Sequence, residues 1–112
     1  AARVGSSGEA VYSACKGGII SFSKALALEV ARKGITVNAV CPGPTDTPLL
    51  AAVAGDDERG QKIRAALVSA IPMKRVGQPD DIPGAVCFLA SDDAAFITGQ
   101  TISVSGGLTM HG

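Results

Sequence analysis

Tyr12 and Lys16 are the residues of this sequence whose types and spacing are best suited to catalysis. Because they are four positions apart, a helix would place both side chains on one face, one turn from each other. A free phenol, with a pKa of about 10, is a poor base near neutral pH. A nearby ammonium group stabilises the phenolate, so a larger fraction of the tyrosine is in its basic form near neutral pH. The pair therefore indicates a general acid and base that exchanges a proton with a hydroxyl or carbonyl group.

A proline-rich turn, CPGPTDTP over residues 41–48, supplies a second candidate site. It follows a short apolar segment, and its prolines prevent a helix or strand from continuing through it. In open α/β sheets, ligands bind just beyond the carboxyl ends of strands. A loop stiffened by proline also holds a ligand at a low cost in entropy. Taken alone, the segment is better explained as an ordinary strand-to-helix turn.

The catalytic pair needs a helix to position it, and the sequence predicts one over residues 10–32. Gly34 follows two basic residues and is expected to end this helix. Gly17 and Gly18 would each cost about 1 kcal/mol relative to alanine in a helix interior, which predicts close packing against a cofactor, a neighbouring helix or a partner subunit. Apolar residues recur at steps of three or four and form one stripe, made of Val11, Cys15, Ile19, Phe22, Leu26 and Val30.

The remaining elements predict an α/β protein. Residues 35–40, ITVNAV, are typical of a buried parallel strand. Two short helices are expected over residues 49–71, with a break near Gly55, and another helix over residues 79–91. Residues 101–104 predict a second short strand. This order favours a parallel sheet, but two strands do not complete a sheet that is covered on both faces. The sequence therefore indicates part of a larger domain.

Composition and charge exclude several classes of protein. The chain has 112 residues, 46% of them hydrophobic, with ten basic and ten acidic side chains that cancel. Disorder and a nucleic-acid-binding surface are therefore not expected. No apolar run approaches the roughly 20 residues that span a bilayer, and no signal peptide opens the sequence. We expect a small-molecule substrate and a cytoplasmic location, with neither nucleic acid nor membrane as a partner.

The cysteines and the single histidine offer no second chemistry. Cys15, Cys41 and Cys87 lie far apart and form neither a disulfide framework nor a CxxC pair. We interpret them as small buried hydrophobic residues of a protein from a reducing compartment. His111 lies next to the last residue, which argues against a Ser-His-Asp site and a histidine-based zinc site. No metal site is predicted.

Three segments together resemble the second half of the short-chain dehydrogenase/reductase family in order and spacing. They are YSACKGG, GITVNAVCPGPTDTPL and PMKRVGQPDDIPGAVCFLASDDAAFITGQTISVSGG. Each is a weak signal alone, but the combination is specific and covers essentially the whole chain. The resemblance implies an α/β fold in which residues 1–112 form the C-terminal part of a doubly wound parallel-sheet (Rossmann) domain. It also implies that the N-terminal dinucleotide-binding half is absent from this sequence.

The resemblance assigns the catalytic roles. Tyr12 would be the general acid/base, and Lys16 would hydrogen-bond the nicotinamide ribose and favour the phenolate. The position of the family's catalytic serine falls just before Ala1. Ser6 and Ser7 are closer to the tyrosine than that position, so we interpret them as loop residues.

Cofactor binding is implied for the proline-rich turn. Pro42, Gly43 and Pro44 would form the wall beside the nicotinamide. The backbone of Thr45 would bind the carboxamide, and the hydroxyl of Thr47 would reach the carboxamide or the phosphates. Tyr12 and Lys16 complete the implied cofactor site.

Three further features follow from the resemblance. Asn38 would be a structural polar residue near the end of its strand. Residues 49–71 would form a mobile lid over the substrate. Residues 99–107 would form the last strand and a subunit contact in the family's usual tetramer, so a homo-oligomer is expected for the full-length protein.

The implied reaction is reversible hydride transfer between a nicotinamide cofactor and a secondary alcohol/ketone pair. The cofactor is expected to be NAD, with NADP left open. The substrate is expected to be a cyclic or linear 3-hydroxyacyl-CoA or 3-oxoacyl thioester. One alternative is a fatty-acid-type 3-oxoacyl-thioester reductase that uses NADPH. Another is a truncated, non-catalytic module that only dimerises. Because the pyrophosphate-binding half is lacking, we expect this chain alone to be inactive.

Overall fold

A computed structural model describes residues 1–111 of the protein. β1 and β2 lie side by side in one sheet. The amide of Ala39 donates to the carbonyl of Gln100, and that of Gly43 donates to the carbonyl of Val104. The pairing advances in the same direction along both strands, so the sheet is parallel and the predicted α/β class is confirmed. The elements in chain order are α1 (Ala10–Val30), β1 (Ala39–Pro42), α2 (Pro48–Ala54), α3 (Glu58–Ala70), α4 (Pro83–Leu89) and β2 (Thr101–Val104).

The chain divides into two compact units. The first contains Ala1–Val40 and Cys87–Ile102, and includes α1. The second contains Cys41–Val86 and the residues from Ser103 onward, and includes α2 and α3. The buried apolar residues of the first unit are Ala27 and Ala94, and those of the second are Ala54 and Ile71.

The helix that was predicted over residues 10–32 is confirmed with nearly the same bounds. α1 ends at Val30, and a single 3₁₀ turn, Ala31–Lys33, follows it. Gly34 then stops the helix with a left-handed φ of 71°, and its amide donates to the carbonyl of Ala31 at 3.0 Å. A side chain at this φ would be strained, which explains why glycine suits the position.

The apolar stripe predicted on α1 is exposed over its first four members, and only Leu26 and Val30 are half-buried. Val11 is 79% exposed, Ile19 53% and Phe22 64%. The buried side of the helix is marked instead by Ala27, 2% exposed, and by the half-buried Ile20. The helical period was correct, but periodicity alone does not say which of two apolar faces is covered within the chain.

The glycine pair of α1 and two of the cysteines lie on surfaces that are open within this chain. A Cβ atom added at Gly17 or Gly18 would meet nothing within 4 Å among the described residues, so the packing expected against a cofactor, another helix or a partner subunit stays a prediction. Cys15 and Cys87 are exposed and only Cys41 is partly buried. The interpretation of all three as buried hydrophobic residues is therefore wrong for Cys15, on the outer side of α1, and for Cys87, on α4.

The first strand begins later than the sequence predicted. β1 covers Ala39–Pro42 instead of residues 35–40, because the preceding residues bond to a loop and not to a strand. The amide of Val37 donates to the hydroxyl of Thr98 at 3.0 Å. The side chain of Asn38 replaces a rung of the ladder: Nδ2 donates to the carbonyl of Ile97 and Oδ1 accepts from the amide of Gln100, both at 3.0 Å. Asn38 is thus structural, and it lies directly before β1 and not near its end.

The pair of helices predicted over residues 49–71 is confirmed. Gly55 separates α2 from α3 with a φ of 81°. Asp57 caps α3, its carboxylate accepting from the amide of Gly60 at 2.9 Å. Gly60 also lies against the end of α2, since a Cβ there would come within 2.6 Å of the carbonyl oxygen of Ala54. Glycine at this position therefore allows α3 to start directly beside α2.

The helix predicted over residues 79–91 is shorter and divided. It opens as a 3₁₀ turn, Pro79–Asp81, and continues as α4 only from Pro83 to Leu89. Pro83 has no amide hydrogen to donate, which accounts for the interruption. β2 occupies residues 101–104 as predicted. Within the described residues, no helix combines the length and apolar character that a membrane-spanning helix needs.

Candidate active site

Tyr12 and Lys16 meet on one face of α1. The ammonium nitrogen of Lys16 lies 5.6 Å from the centroid of the Tyr12 ring, a distance at which a cation is attracted to the π face. Tyr12 is 54% exposed, so its phenol is accessible within this chain. The structure therefore brings the two residues together as the helical spacing predicted, while their catalytic role stays a prediction.

The turn that follows β1 is packed tightly at Gly43. The amide of Gly43 donates to the carbonyl of Val104 at 2.9 Å, which extends the sheet by one bond. A Cβ at Gly43 would lie 2.8 Å from both Cα and Cβ of Ser105. The close approach of two backbones requires glycine at this position, between Pro42 and Pro44.

Gly77 is bonded to the centre of this turn, which we call the cofactor loop (residues 42–47) after the role that the sequence predicts for it. The amide of Gly77 donates to the carbonyl of Pro44 and its carbonyl accepts from the amide of Asp46, both at 2.8 Å. These bonds form an isolated parallel bridge between Thr45 and Gly77. Because adjacent backbone groups of an extended segment alternate in direction, the amide and carbonyl of Thr45 itself face away from Gly77.

The two threonine hydroxyls of the cofactor loop have structural partners. Thr45 donates its hydroxyl to the carbonyl of Gly43 at 2.8 Å. Thr47 is the N-cap of α2, with its side-chain oxygen accepting from the amide of Leu50 at 3.3 Å. Sequence reasoning missed this cap, although a threonine directly before Pro48 is a typical helix start.

An ion pair closes the turn that carries Gly77, which we call the latch turn (residues 75–81). The guanidinium of Arg75 donates to both carboxylate oxygens of Asp81, at 2.7 and 3.1 Å. The amide of Gln78 donates to the same carboxylate at 2.7 Å. The bonds from Arg75 and then from Gln78 lower the pKa of Asp81 to about 2, and the carboxylate in turn raises the pKa of Arg75.

Asp81 lies in the first turn of a 3₁₀ helix, where an acidic residue is favourable on sequence grounds alone. Its pairing with Arg75 was not predicted, because the sequence shows only two opposite charges on either side of a Gly-Gln-Pro turn.

A second ion pair joins the cofactor loop to α3. The guanidinium of Arg64 lies 3.5 Å from the carboxylate of Asp46. α3 belongs to the segment expected to act as a lid, so one residue of the cofactor loop contacts that segment directly. The described residues contain no group of three His, Cys, Asp or Glu side chains arranged to hold a metal ion.

Comparisons with known proteins decide the family. A family model described as enoyl-(acyl carrier protein) reductase matches residues 1–109. A solved short-chain dehydrogenase/reductase of Brucella melitensis, titled a glucose/ribitol dehydrogenase, is 35% identical with a TM-score of 0.86. The chain belongs to the short-chain dehydrogenase/reductase family. The resemblance inferred from the sequence is confirmed at this level.

The solved structures extend the family assignment to the fold. The ligand-free aldohexose dehydrogenase of Thermoplasma acidophilum is 36% identical with a TM-score of 0.88, over 99% of this chain and 45% of that one. The Brucella structure is covered to a similar extent, 98% of this chain and 42% of that one. The elements described above are therefore part of the family's α/β Rossmann fold, as the sequence implied.

Curated family members are also similar to the chain. Nodulation protein G of Azospirillum brasilense is 48% identical over 104 residues, covering 93% of this chain and 40% of that protein. A 3-oxoacyl-(acyl-carrier-protein) reductase of Escherichia coli is 47% identical, with 96% and 41% covered. An acetoacetyl-CoA reductase of Allochromatium vinosum is 44% identical, with 96% and 41% covered. This short-chain dehydrogenase/reductase chain thus spans about two fifths of the length of these curated relatives.

The site residues implied for the family fall into two groups, one in each unit. Tyr12 and Lys16 lie in the first unit, on α1. Residues 42–47, which include every implied residue of the nicotinamide wall, lie in the second unit. Their contacts with a cofactor stay predictions.

Proposed function

We propose that this chain is the C-terminal part of a nicotinamide-dependent oxidoreductase that interconverts a secondary alcohol and a ketone on an acyl thioester. The observation that carries the proposal is the accessible phenol of Tyr12 with the ammonium of Lys16 5.6 Å from its ring. A bound nicotinamide supplies the acceptor or donor of hydride. The chain supplies the proton transfer that must accompany it.

Tyr12 moves that proton. In the oxidative direction its phenolate takes the hydroxyl proton of the alcohol, and in the reductive direction its phenol donates a proton to the ketone oxygen. A positive charge beside a phenol favours its phenolate, and this is the role proposed for Lys16. Such a positioned acid/base contributes about 10²- to 10⁴-fold to a reaction rate.

The cofactor loop fits the carboxamide end of a nicotinamide. A primary amide offers one carbonyl acceptor and two N–H donors. The backbone of Thr45 offers the complementary amide and carbonyl, both directed away from Gly77 because Pro44 and Asp46 make the bonds to that residue. The two prolines that flank Gly43 keep this backbone preorganised.

The relatives support a 3-oxoacyl thioester as substrate. Two of them are named as reductases of 3-oxoacyl-(acyl-carrier-protein) and of acetoacetyl-CoA, and both names describe a ketone two carbons from a thioester. The second candidate is a 2-hydroxycyclohexanecarboxyl-CoA dehydrogenase, which the flanks AARVGSSGEAVY and SVSGGLTM resemble. That candidate would oxidise a cyclic 3-hydroxyacyl-CoA with NAD, whereas the fatty-acid-type reductase would use NADPH.

Several properties of the whole protein belong to the same proposal. The active protein would be a cytoplasmic homo-tetramer acting on a small-molecule substrate such as an acyl-CoA. The catalytic form, here called the complete enzyme, is this chain joined to a dinucleotide-binding N-terminal half. The chain alone is expected to show no hydride transfer, and activity of residues 1–112 by themselves with NAD or NADP would contradict this.

The proposal is tested with two assays of the complete enzyme. Reduction of acetoacetyl-CoA and of 2-oxocyclohexanecarboxyl-CoA is measured with NADH and with NADPH. Oxidation of an aldohexose is measured with the oxidised cofactors. We expect turnover of a thioester and a loss of about 10²- to 10⁴-fold in kcat for Tyr12→Phe. Ser7→Ala, a change in the exposed loop before α1, is the matched control and should keep full activity. Full activity of Tyr12→Phe would overturn the mechanism. Faster turnover of the aldohexose than of either thioester would overturn the substrate class.

A further inference from the structure

We propose that Arg75 and Asp81 are positioning residues for the cofactor loop, and that they act through the backbone of Gly77. The inference deepens the proposed function, on which it rests, because it assumes that residues 42–47 hold the nicotinamide. All of the residues involved belong to the second unit.

An ion pair closes the latch turn. Arg75 and Asp81 form two parallel hydrogen bonds at 2.7 and 3.1 Å, an arrangement that fixes direction as well as distance. The amide of Gln78 donates to Oδ2 of Asp81 at 2.7 Å, so the middle of the turn is held by the same carboxylate. Opening the ion pair would release both ends and the centre of this short segment.

Gly77 joins the latch turn to the cofactor loop. Gly77 lies between Arg75 and Asp81 in sequence, and its amide and carbonyl make the two 2.8 Å bonds to Pro44 and Asp46. The approach is close, since a Cβ at Gly77 would be 3.4 Å from the carbonyl oxygen of Pro44. The direction of these bonds depends on the conformation of the latch turn.

The orientation of the Thr45 backbone depends on these bonds to Gly77. Its amide and carbonyl face away from Gly77 only while both neighbours, Pro44 and Asp46, stay bonded to Gly77. When the latch turn loosens, the backbone of Thr45 rotates more freely and loses its fixed direction. The groups proposed to recognise the carboxamide would then be present but poorly aligned.

A positioning role and a purely structural role of the pair predict different effects of losing it. A structural role would lower stability without changing which cofactor is preferred, whereas a positioning role changes recognition of the carboxamide. Exposed ion pairs contribute little to overall stability, and Arg75 is half exposed. Loss of the pair should therefore affect recognition of the carboxamide more than it affects unfolding. A cofactor analogue that replaces the carboxamide with an acetyl group, 3-acetylpyridine adenine dinucleotide, distinguishes the two roles because it lacks the N–H donors.

The experiment compares the natural cofactor with the acetylpyridine analogue in the complete enzyme carrying Asp81→Asn. We expect the preference in kcat/KM for the natural cofactor to fall about tenfold, equivalent to about 1.4 kcal/mol, with only a small fall in the melting temperature. The charge-exchanged double variant, Arg75→Asp with Asp81→Arg, should recover part of the preference, because it restores the ion pair but not the bond from the amide of Gln78. Glu58→Gln is the matched control, because it removes an exposed ion pair on α3 with Lys62, 3.9 Å long, that does not touch the cofactor loop.

Two results would overturn the inference. One is an unchanged preference between the cofactors in Asp81→Asn, whatever happens to the melting temperature. The other is an equal loss of preference in Glu58→Gln. Failure of the proposed function itself is distinct, because the unsubstituted enzyme would then transfer no hydride to either cofactor. In that case amide hydrogen exchange at Asp46 and Gly77 still tests the latch, which requires faster exchange at both in Asp81→Asn.

Discussion

The ammonium of Lys16 lies 5.6 Å from the ring centroid of Tyr12, one helical turn along α1. This contact places a positive charge against the π face of the phenol, where attraction to the ring keeps the two side chains together before any ligand binds. The helix therefore holds together the two side chains proposed to act in proton transfer, and each of them can be tested separately.

Removing the charge of Lys16 should slow the reaction without unfolding the protein. In the complete enzyme we expect Lys16→Met to lower kcat/KM by about 10²-fold or more, since the phenolate loses its stabilising cation. Lys24→Met, on the same helix two turns further on and also exposed, is the control and should retain activity. Comparable losses in both variants would indicate a general effect of charge on α1.

Gly43→Ala should destabilise the protein because its new methyl group has no room. The added Cβ would lie 2.8 Å from Cα and Cβ of Ser105, so β1 or β2 must shift, at an expected cost of about 1–3 kcal/mol. Gly84→Ala is the matched control, since a Cβ there meets nothing within 4 Å and alanine favours the helix by up to about 1 kcal/mol. Chemical denaturation measures both, and equal stability of the two variants would contradict the close contact.

The ion pair of the latch turn should give stability that is lost in acid. The pKa of Asp81 is lowered to about 2 by its bonds to Arg75 and Gln78. Because the folded-state pKa is depressed, the contribution is complete above the ordinary pKa of about 3.9 and disappears as the pH falls from there towards 2. We expect the difference in denaturation midpoint between the unsubstituted protein and Asp81→Asn to shrink between pH 5 and pH 2. A difference that stays constant over this range would show that the pair is not formed in solution.

Thr47 should reveal whether its hydroxyl serves the helix, the cofactor or both. Thr47→Val removes the oxygen that accepts from the amide of Leu50, and loss of such a cap costs about 1 kcal/mol. Thr47→Ser keeps the oxygen and should be nearly neutral. If Thr47→Val loses stability and also raises the cofactor KM beyond Thr47→Ser, the hydroxyl does both. An unchanged cofactor KM would limit it to capping α2.

Local signals account for what the sequence predicted well. The period of α1, the stop at Gly34 and the break between α2 and α3 at Gly55 depend on residues a few positions apart, which a single sequence displays. The spacing of Tyr12 and Lys16 belongs to the same class, because a helix fixes it without help from the rest of the fold.

Contacts between distant residues account for what was missed. β1 starts late because Asn38 bonds to residues about 60 positions away, and propensity does not show such partners. Which apolar side of α1 is covered within the chain depends in the same way on packing, which the periodicity of the helix does not show. Arg75 and Asp81 are close in sequence, but their effect on the cofactor loop requires Gly77 to meet Pro44, which no local pattern encodes.

The attachment of the cofactor loop to Gly77 uses main-chain atoms alone. Amide and carbonyl groups are the same in nearly every amino acid, so this attachment does not specify which side chains the loop displays. Side chains facing a substrate can be exchanged during evolution or engineering while the loop stays anchored in the same place. Point mutations of the side chains that face a substrate can therefore change substrate preference while the backbone groups proposed to bind the nicotinamide stay in place.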